Sequence, residues 1–376
     1  MKKMICILLC ALLLMGSALA ENVEARAVPG EKLGFELLKE IYAEGENIVL
    51  SPMSLALALG MAAEGAQGET LAQLLEALGA ENVDELAKVP EDIRSANAVF
   101  TQPGFPVKEA YAEALAEKYG PEWFEIDAGT ADRVNAWVNE HTDGLIDKLM
   151  DDAPASDIAM LLVNAIALDA DWALPFMKEG TYTEIFHAAS GDVNVEMMHQ
   201  TEYFLYTEKD GVQIICLPYA NSDLDMWIAL PAEGMEMGAV LDILSEGGLS
   251  ALSDGAVRTE VVLSMPKADI SDSHSLADLL KKLGVNLPFG SDADFSGISD
   301  VPLCIDEIIQ KARMQVDESG TKAAAATVVA MRAMAMAPGM KPEPVVMKLD
   351  RPYFYAITDS VSGAVCFTGV IENPSA

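Results

Sequence analysis

The chain has 376 residues, 51% of them hydrophobic, which supplies a large core, and only 6% aromatic, so Met, Leu and Ala do most of the filling. It carries 24 basic against 59 acidic residues, a formal charge of −35. Such a surface repels nucleic acid, heparin-like polyanions and anionic membranes, and these are excluded as partners on electrostatic grounds.

Lys2 and Lys3 precede an apolar run from Met4 to Met15, followed by Ala18-Leu19-Ala20. This is the layout of a secretory signal peptide cleaved after Ala20, with Ala25-Arg26-Ala27 as a weaker second site. Residues 1–20 are therefore expected to be removed, leaving residues 21–376 as one secreted domain with a charge of about −37. The run is too short for a comfortable membrane span, so no membrane insertion is expected. Cys6 and Cys10 leave with the signal. Cys216, Cys304 and Cys366 remain in apolar stretches, and read as buried small hydrophobes rather than as a disulfide framework.

Leu33, Leu37, Leu38 and Ile41 recur at helical spacing, giving a first amphipathic helix over 32–42. Ser51-Pro52 opens a second, with Ser51 suited to the cap and Pro52 to the first helical position. Ala56, Gly60 and Ala63 keep that helix slim. A turn bracketed by Gly65 and Gly68 leads into a helix over 69–78, and a short acidic stretch follows. Residues 95–100 read as a strand, 107–120 as a helix and 134–149 as another that ends near Gly144. MLLVNAIALDADWALPF (160–176) is an apolar run of β character. From Val193 onward, strands alternate with Asp-Gly and Asn-Ser turns, which is a hairpin pattern. Two more strands flank Asp359–Gly363. No repeat or linker interrupts residues 30–374.

Residues 317–344, DESGTKAAAATVVAMRAMAMAPGMKPEP, stand apart. Four consecutive alanines suggest helix. Read with period 2, however, Thr321, Ala323, Ala325, Thr327, Val329, Met331 and Ala333 share one uncharged face, while Lys322 and Arg332 share the other. Flanking Gly and Pro mark the segment as a loop. It is a loop that is also a competent strand.

GTKAAAATVV following DE resembles the hinge of the reactive-centre loop of inhibitory serpins. Further blocks are similar to the same family: NIVLSPMSLALALG, the pattern Asn135, Trp137, Val138, Thr142 and Ile146, the run 160–176, Pro266-Lys267, residues 283–297 and the C-terminal hairpin. The resemblance implies an α+β serpin fold, with three β-sheets, eight to nine helices and an exposed reactive-centre loop at about 318–344. It implies hinge roles for Glu318, Gly320, Thr321, Ala323, Ala324, Ala325, Ala326 and Thr327. Trp172 matches the breach, and Asn164, Ser51, Ser54 and Gln310 match the shutter. Departures are Ala268 in place of phenylalanine, Gln310 in place of histidine and Lys322 in place of glutamate.

The implied activity is suicide inhibition of a serine (sometimes cysteine) protease by a secreted monomer. The protease cleaves the loop, and the acyl intermediate is trapped as the loop inserts as a central strand. Insertion requires small uncharged inward residues, because a charged side chain entering the sheet costs several kcal/mol. Gly320 is expected to give the hinge its backbone freedom. Family spacing places the reactive bond at Met334–Ala335, which suits elastase-, chymotrypsin- or subtilisin-like enzymes. Arg332, with a trypsin-like preference, and Met336 are the alternatives. The competing reading is a serpin fold without inhibition, as a chaperone, carrier or storage protein; such members usually lose the alanine-rich hinge.

The chain offers four histidines in unrelated contexts, with no GxSxG, HExxH or phosphate loop. No enzymatic role and no cofactor is expected. Asp292, Asp294, Ser296 and Gly297 imitate half of a calcium loop, but Leu303 stands where the closing glutamate belongs, so no metal is expected either.

Overall fold

The computed structural model describes residues 28–321 and 343–375. Ser51 caps a helix as the pattern predicts: its Oγ accepts the Ser54 N–H at 3.1 Å, and Pro52 follows at the first helical position. Eight α-helices lie among the described residues. They are α1 (Glu31–Ile41), α2 (Pro52–Ala63), α3 (Gly68–Leu78), α4 (Glu109–Lys118), α5 (Thr130–His141), α6 (Met237–Gly247), α7 (Ser250–Ser253) and α8 (Ala277–Lys282). The acidic stretch after Gly79 forms only a single 3-10 turn, Val83–Glu85.

The largest sheet has nine strands. Eight follow the order β1 (Ile48–Leu50), β16 (Val365–Ile371), β15 (Tyr353–Asp359), β9 (Leu224–Pro231), β8 (Val212–Pro218), β7 (Gly191–Lys209), β10 (Val257–Pro266) and β14 (Val345–Lys348), and β6 (Tyr182–Ala188) pairs with β7. Every residue of β15 and β16 is buried, so this C-terminal hairpin is the middle of the core. The Asp-Gly turn between β7 and β8 has both residues in the left-handed region, Asp210 at φ 51° and Gly211 at φ 80°, as a tight hairpin requires.

Two smaller sheets complete the architecture. One has the order β11 (Ala268–Ser275), β12 (Ile309–Val316), β13 (Gly320–Thr321), β5 (Ala170–Asp171); the other has β3 (Glu122–Glu125), β2 (Arg94–Thr101), β4 (Met160–Ala167). β5 follows β4 after two residues, so the two sheets are halves of one surface that meet along the β4–β5 line. No ladder joins β4 to β12 among the described residues. A separate small core seals α5 onto the β2–β4 half through Val134, Trp137, Val138, Phe100, Val163 and Ala165.

Three expectations change. The helix expected at 134–149 runs from Thr130 to His141, because Asp143 (φ 51°) and Gly144 (φ 77°) take left-handed backbone that ends it. Asn135 then holds the following segment, its Oδ1 accepting the N–H of Leu149 and of Met150. The apolar run 160–176 divides into β4 and the two-residue β5, and the rest of it is irregular. Cys216 and Cys366 are buried as expected, but Cys304 is exposed, since its short apolar run lies in an irregular segment outside the sheets. No described helix is long and apolar enough to cross a membrane.

Candidate functional site: the open end of the split sheet

β12 ends in a tight turn. The Asp317 N–H donates to Gly320 O at 3.0 Å, and Asp317 Oδ1 accepts the Ser319 N–H at 2.8 Å, so Asp317 both closes and caps the reversal. The chain then runs back as β13, with Thr321 opposite Val316 on one side and opposite Ala170 on the other. Two residues of an additional antiparallel strand thus stand in the mouth of the gap between β12 and the β4–β5 line.

Each end of this short strand is fastened. Gly320 lies so close to β5 that a Cβ there would sit 2.1 Å from Ala170 O and 2.6 Å from Asp171 Cα. Glycine is needed for that close approach; its φ is not in the left-handed region, so backbone freedom is not what this arrangement uses. The Thr321 hydroxyl lies 2.6 Å from that of Tyr219, and both residues are buried. Burial keeps the Tyr219 phenol protonated. Trp172 stacks on Tyr219 with centroids 4.7 Å apart, and its Nε1–H donates to Asp317 O at 3.1 Å. The Trp172 backbone N–H donates to Ser319 O at 2.7 Å.

Glu318, 6% exposed, accepts from Lys267 Nζ at 2.9 Å and from the Thr181 hydroxyl at 2.9 Å. Burial alone would raise its pKa. Lys267, Glu318's own N–H and Thr181 outweigh that and hold the carboxyl below the usual range.

Halfway down the gap, Gln310 of β12 makes a reciprocal pair with Ser51: its Oε1 accepts the Ser51 N–H at 3.0 Å, and its Nε2 donates to Ser51 O at 2.8 Å. Ser51 Oγ donates to Cys366 O at 2.7 Å, which ties the start of α2 to β16. Ser54 joins through its backbone N–H. Asn164 belongs to the other half. Its Nδ2 donates to Ser95 Oγ and Asn97 Oδ1, and its buried Oδ1 has no hydrogen-bond partner.

Glu318, Gly320, Thr321 and Trp172 are therefore brought together at the mouth of the gap, and Ser51, Ser54 and Gln310 in its middle. Ala323, Ala324, Ala325, Ala326, Thr327, Arg332, Met334, Ala335 and Met336 lie outside the described residues, as does the signal peptide with Ala20. Sequence reasoning missed Tyr219 and Thr181, and did not pair Lys267 with Glu318. Each acts across more than fifty residues of chain, and their local stretches carry no pattern that marks them.

An α+β molecule with three sheets, two of them halves of one surface with the start of an extra strand at the gap between them, defines the class. The chain belongs to the serpin family: a family model described as "Serpin (serine protease inhibitor)" matches residues 30–374. An uncharacterized serpin-like protein of Thermococcus kodakarensis is 34% identical, over 90% of this chain and 84% of that protein. Among solved structures, the native state of the thermophilic serpin tengpin superposes with a TM-score of 0.81 at 30% identity, covering 94% of this chain and 95% of that one. Thyroxine-binding globulin in complex with thyroxine has a TM-score of 0.79 at 25% identity, covering 92% and 98%. Serpins are in general protease inhibitors rather than enzymes.

Proposed function

We propose that this chain is a secreted inhibitor of serine endopeptidases that acts as a suicide substrate, with Met334–Ala335 as the bond it offers. The observation that carries this reading is β13, two residues of a missing strand already seated between β12 and β5. Carrying both registers onward sets residue 323 between Met314 and Leu168, residue 325 between Ala312 and Ile166, and residue 327 between Gln310 and Asn164. The chain supplies Ala, Ala and Thr at those three places. Met314, Ala312, Leu168 and Ile166 are all buried, so only small uncharged side chains would fit there without loss. At ~3.3 Å per residue, the fourteen residues from Gly320 to Met334 span about 46 Å, enough to cross a large sheet.

The test is to mix the purified protein with elastase, chymotrypsin, subtilisin and trypsin, then run denaturing gels and take masses of the released C-terminal peptide. The reading expects a covalent band at the summed mass and a peptide that begins at Ala335. A peptide beginning at Ala333 would move the bond to Arg332 and the target to trypsin-like enzymes; one beginning at Ala337 would move it to Met336. Clean cleavage with no covalent band and no rise in melting temperature would favour a carrier or storage role, the kind of role that the likeness to thyroxine-binding globulin brings in.

A further inference from the structure

His199, on β7, faces two acceptors and no donor. Its Nδ1 lies 3.0 Å from Gly180 O, and its Nε2 lies 3.1 Å from Glu184 Oε1. Tyr182 lies flat on the ring, centroids 4.3 Å apart and planes 6° from parallel, which fixes the ring orientation that aims both nitrogens. A neutral imidazole has one donor nitrogen and one acceptor nitrogen, so it satisfies only one of these partners; the imidazolium satisfies both. Glu184 does not supply the missing proton, because Lys348 Nζ, 2.8 Å from its other oxygen, holds it below the usual carboxylate range.

The two partners lead to opposite ends of the reactive loop. Gly180 belongs to the 178–181 turn, whose next residue, Thr181, donates to Glu318 at the loop's N-terminal base. Glu184 grips Lys348 on β14, the strand on which the chain resumes after the loop. Lys348 in turn lies 3.7 Å from Asp350, which pairs with Arg351. Lys178 and Glu179 are charged residues of the same turn as Gly180. On β10 the residue opposite His199 is the uncharged Ser264.

We propose that His199 is a proton-operated coupling between the two anchorages of the reactive loop, closed on both sides only when the ring is doubly protonated. Its meaning as regulation rests on the inhibitor reading above; the coupling itself does not. When the ring gains its second proton, both contacts close together and the loop's two bases are tied through one side chain. As pH rises, one of them must open. Mild acid thus holds the loop's supports more firmly, and alkali slackens them.

The test is nitrogen-15 NMR of the imidazole in the purified protein, combined with amide hydrogen exchange corrected for intrinsic rate, between about pH 5 and 8. The expected result is a doubly protonated His199 in mild acid. Protection at Gly180–Thr181, at Val345–Lys348, or at both should fall roughly fivefold as the ring loses its proton, the scale of one lost hydrogen bond. His199→Phe keeps the stacked ring and removes both bonds, so protection at the two places should be low at every pH. Glu184→Gln keeps an acceptor but weakens the hold on Lys348, so it should loosen Val345–Lys348 and leave Gly180–Thr181 protected in acid. A singly protonated ring throughout, or exchange in His199→Phe that matches wild type, would overturn the coupling. Failure to form a covalent complex with any protease would overturn the inhibitor reading instead and leave these exchange results standing.

Discussion

The hydroxyls of Tyr219 and Thr321 lie 2.6 Å apart, so the first loop residue inside the sheet is hydrogen-bonded to a buried phenol beneath it. Thr321→Val preserves shape and leaves that phenol without its partner. Urea unfolding should show a loss of about 1–3 kcal/mol, the cost of an unpaired buried polar group. An unchanged midpoint would mean that the pair contributes nothing.

Gly320→Ala introduces a methyl group where the β5 backbone already stands, at 2.1 Å from Ala170 O. β13 must then move away from β5, at a cost of about 1–3 kcal/mol. Faster hydrogen exchange at the Trp172 amide, which donates to Ser319 O, should report that movement.

Glu318→Gln should cost about 1–3 kcal/mol at neutral pH by weakening the contact with Lys267. The native carboxyl titrates below its usual value, so its contribution is fully present above the unfolded pKa and is lost as pH falls through the depressed native one. The gap between wild type and variant should therefore close on acidification below about pH 4. A gap that stays constant with pH would show that the charge is irrelevant.

Gln310→Leu removes both halves of the Ser51 pair: the buried Ser51 N–H loses its acceptor, and Ser51 O keeps only the Leu55 N–H. A loss of about 2 kcal/mol or more is expected in urea unfolding. The same residue, by its register, would face Thr327 in the inserted form, so the variant should also change the melting temperature of the cleaved protein.

Ala325→Arg tests the insertion step alone. It should fold and be cleaved normally, but a charge carried between Ala312 and Ile166 costs several kcal/mol. The expected outcome on gels is cleaved protein without a covalent band. Full retention of inhibition would contradict the proposed register.

The fold class was legible because the family's motifs are spread over the whole chain, and local signals such as Ser51-Pro52 and Asp210-Gly211 each specify one geometry. Helix limits were less so: the expected helix at 134–149 stops at His141 because left-handed residues beyond it override an apolar periodicity that continues to Leu149. At the site, Trp172, Gly320 and Glu318 were readable as family positions. The reasons they matter were not: Gly320 serves an approach to a strand 150 residues away in the chain, and Glu318 is held by partners from two distant segments, the turn at Thr181 and the β10–β11 junction at Lys267. Contacts of that kind leave no periodic trace.

The position of β16 bears on how the molecule comes to exist at all. Among the described residues β1 has its only ladder with β16, Ile48 opposite Val370, so one of the first segments made waits for one of the last. The reactive segment is synthesised before β15 and β16, the two strands that fill the middle of the core. On the register proposed above, a gap and a segment suited to fill it coexist during that interval without the hairpin that completes the structure. Non-local pairing of this kind is slow, and slow steps give competing products time to form. Under the insertion proposed above, the order and speed of assembly would select the active molecule, and chain made too slowly at its C-terminal end should accumulate as folded but inert protein.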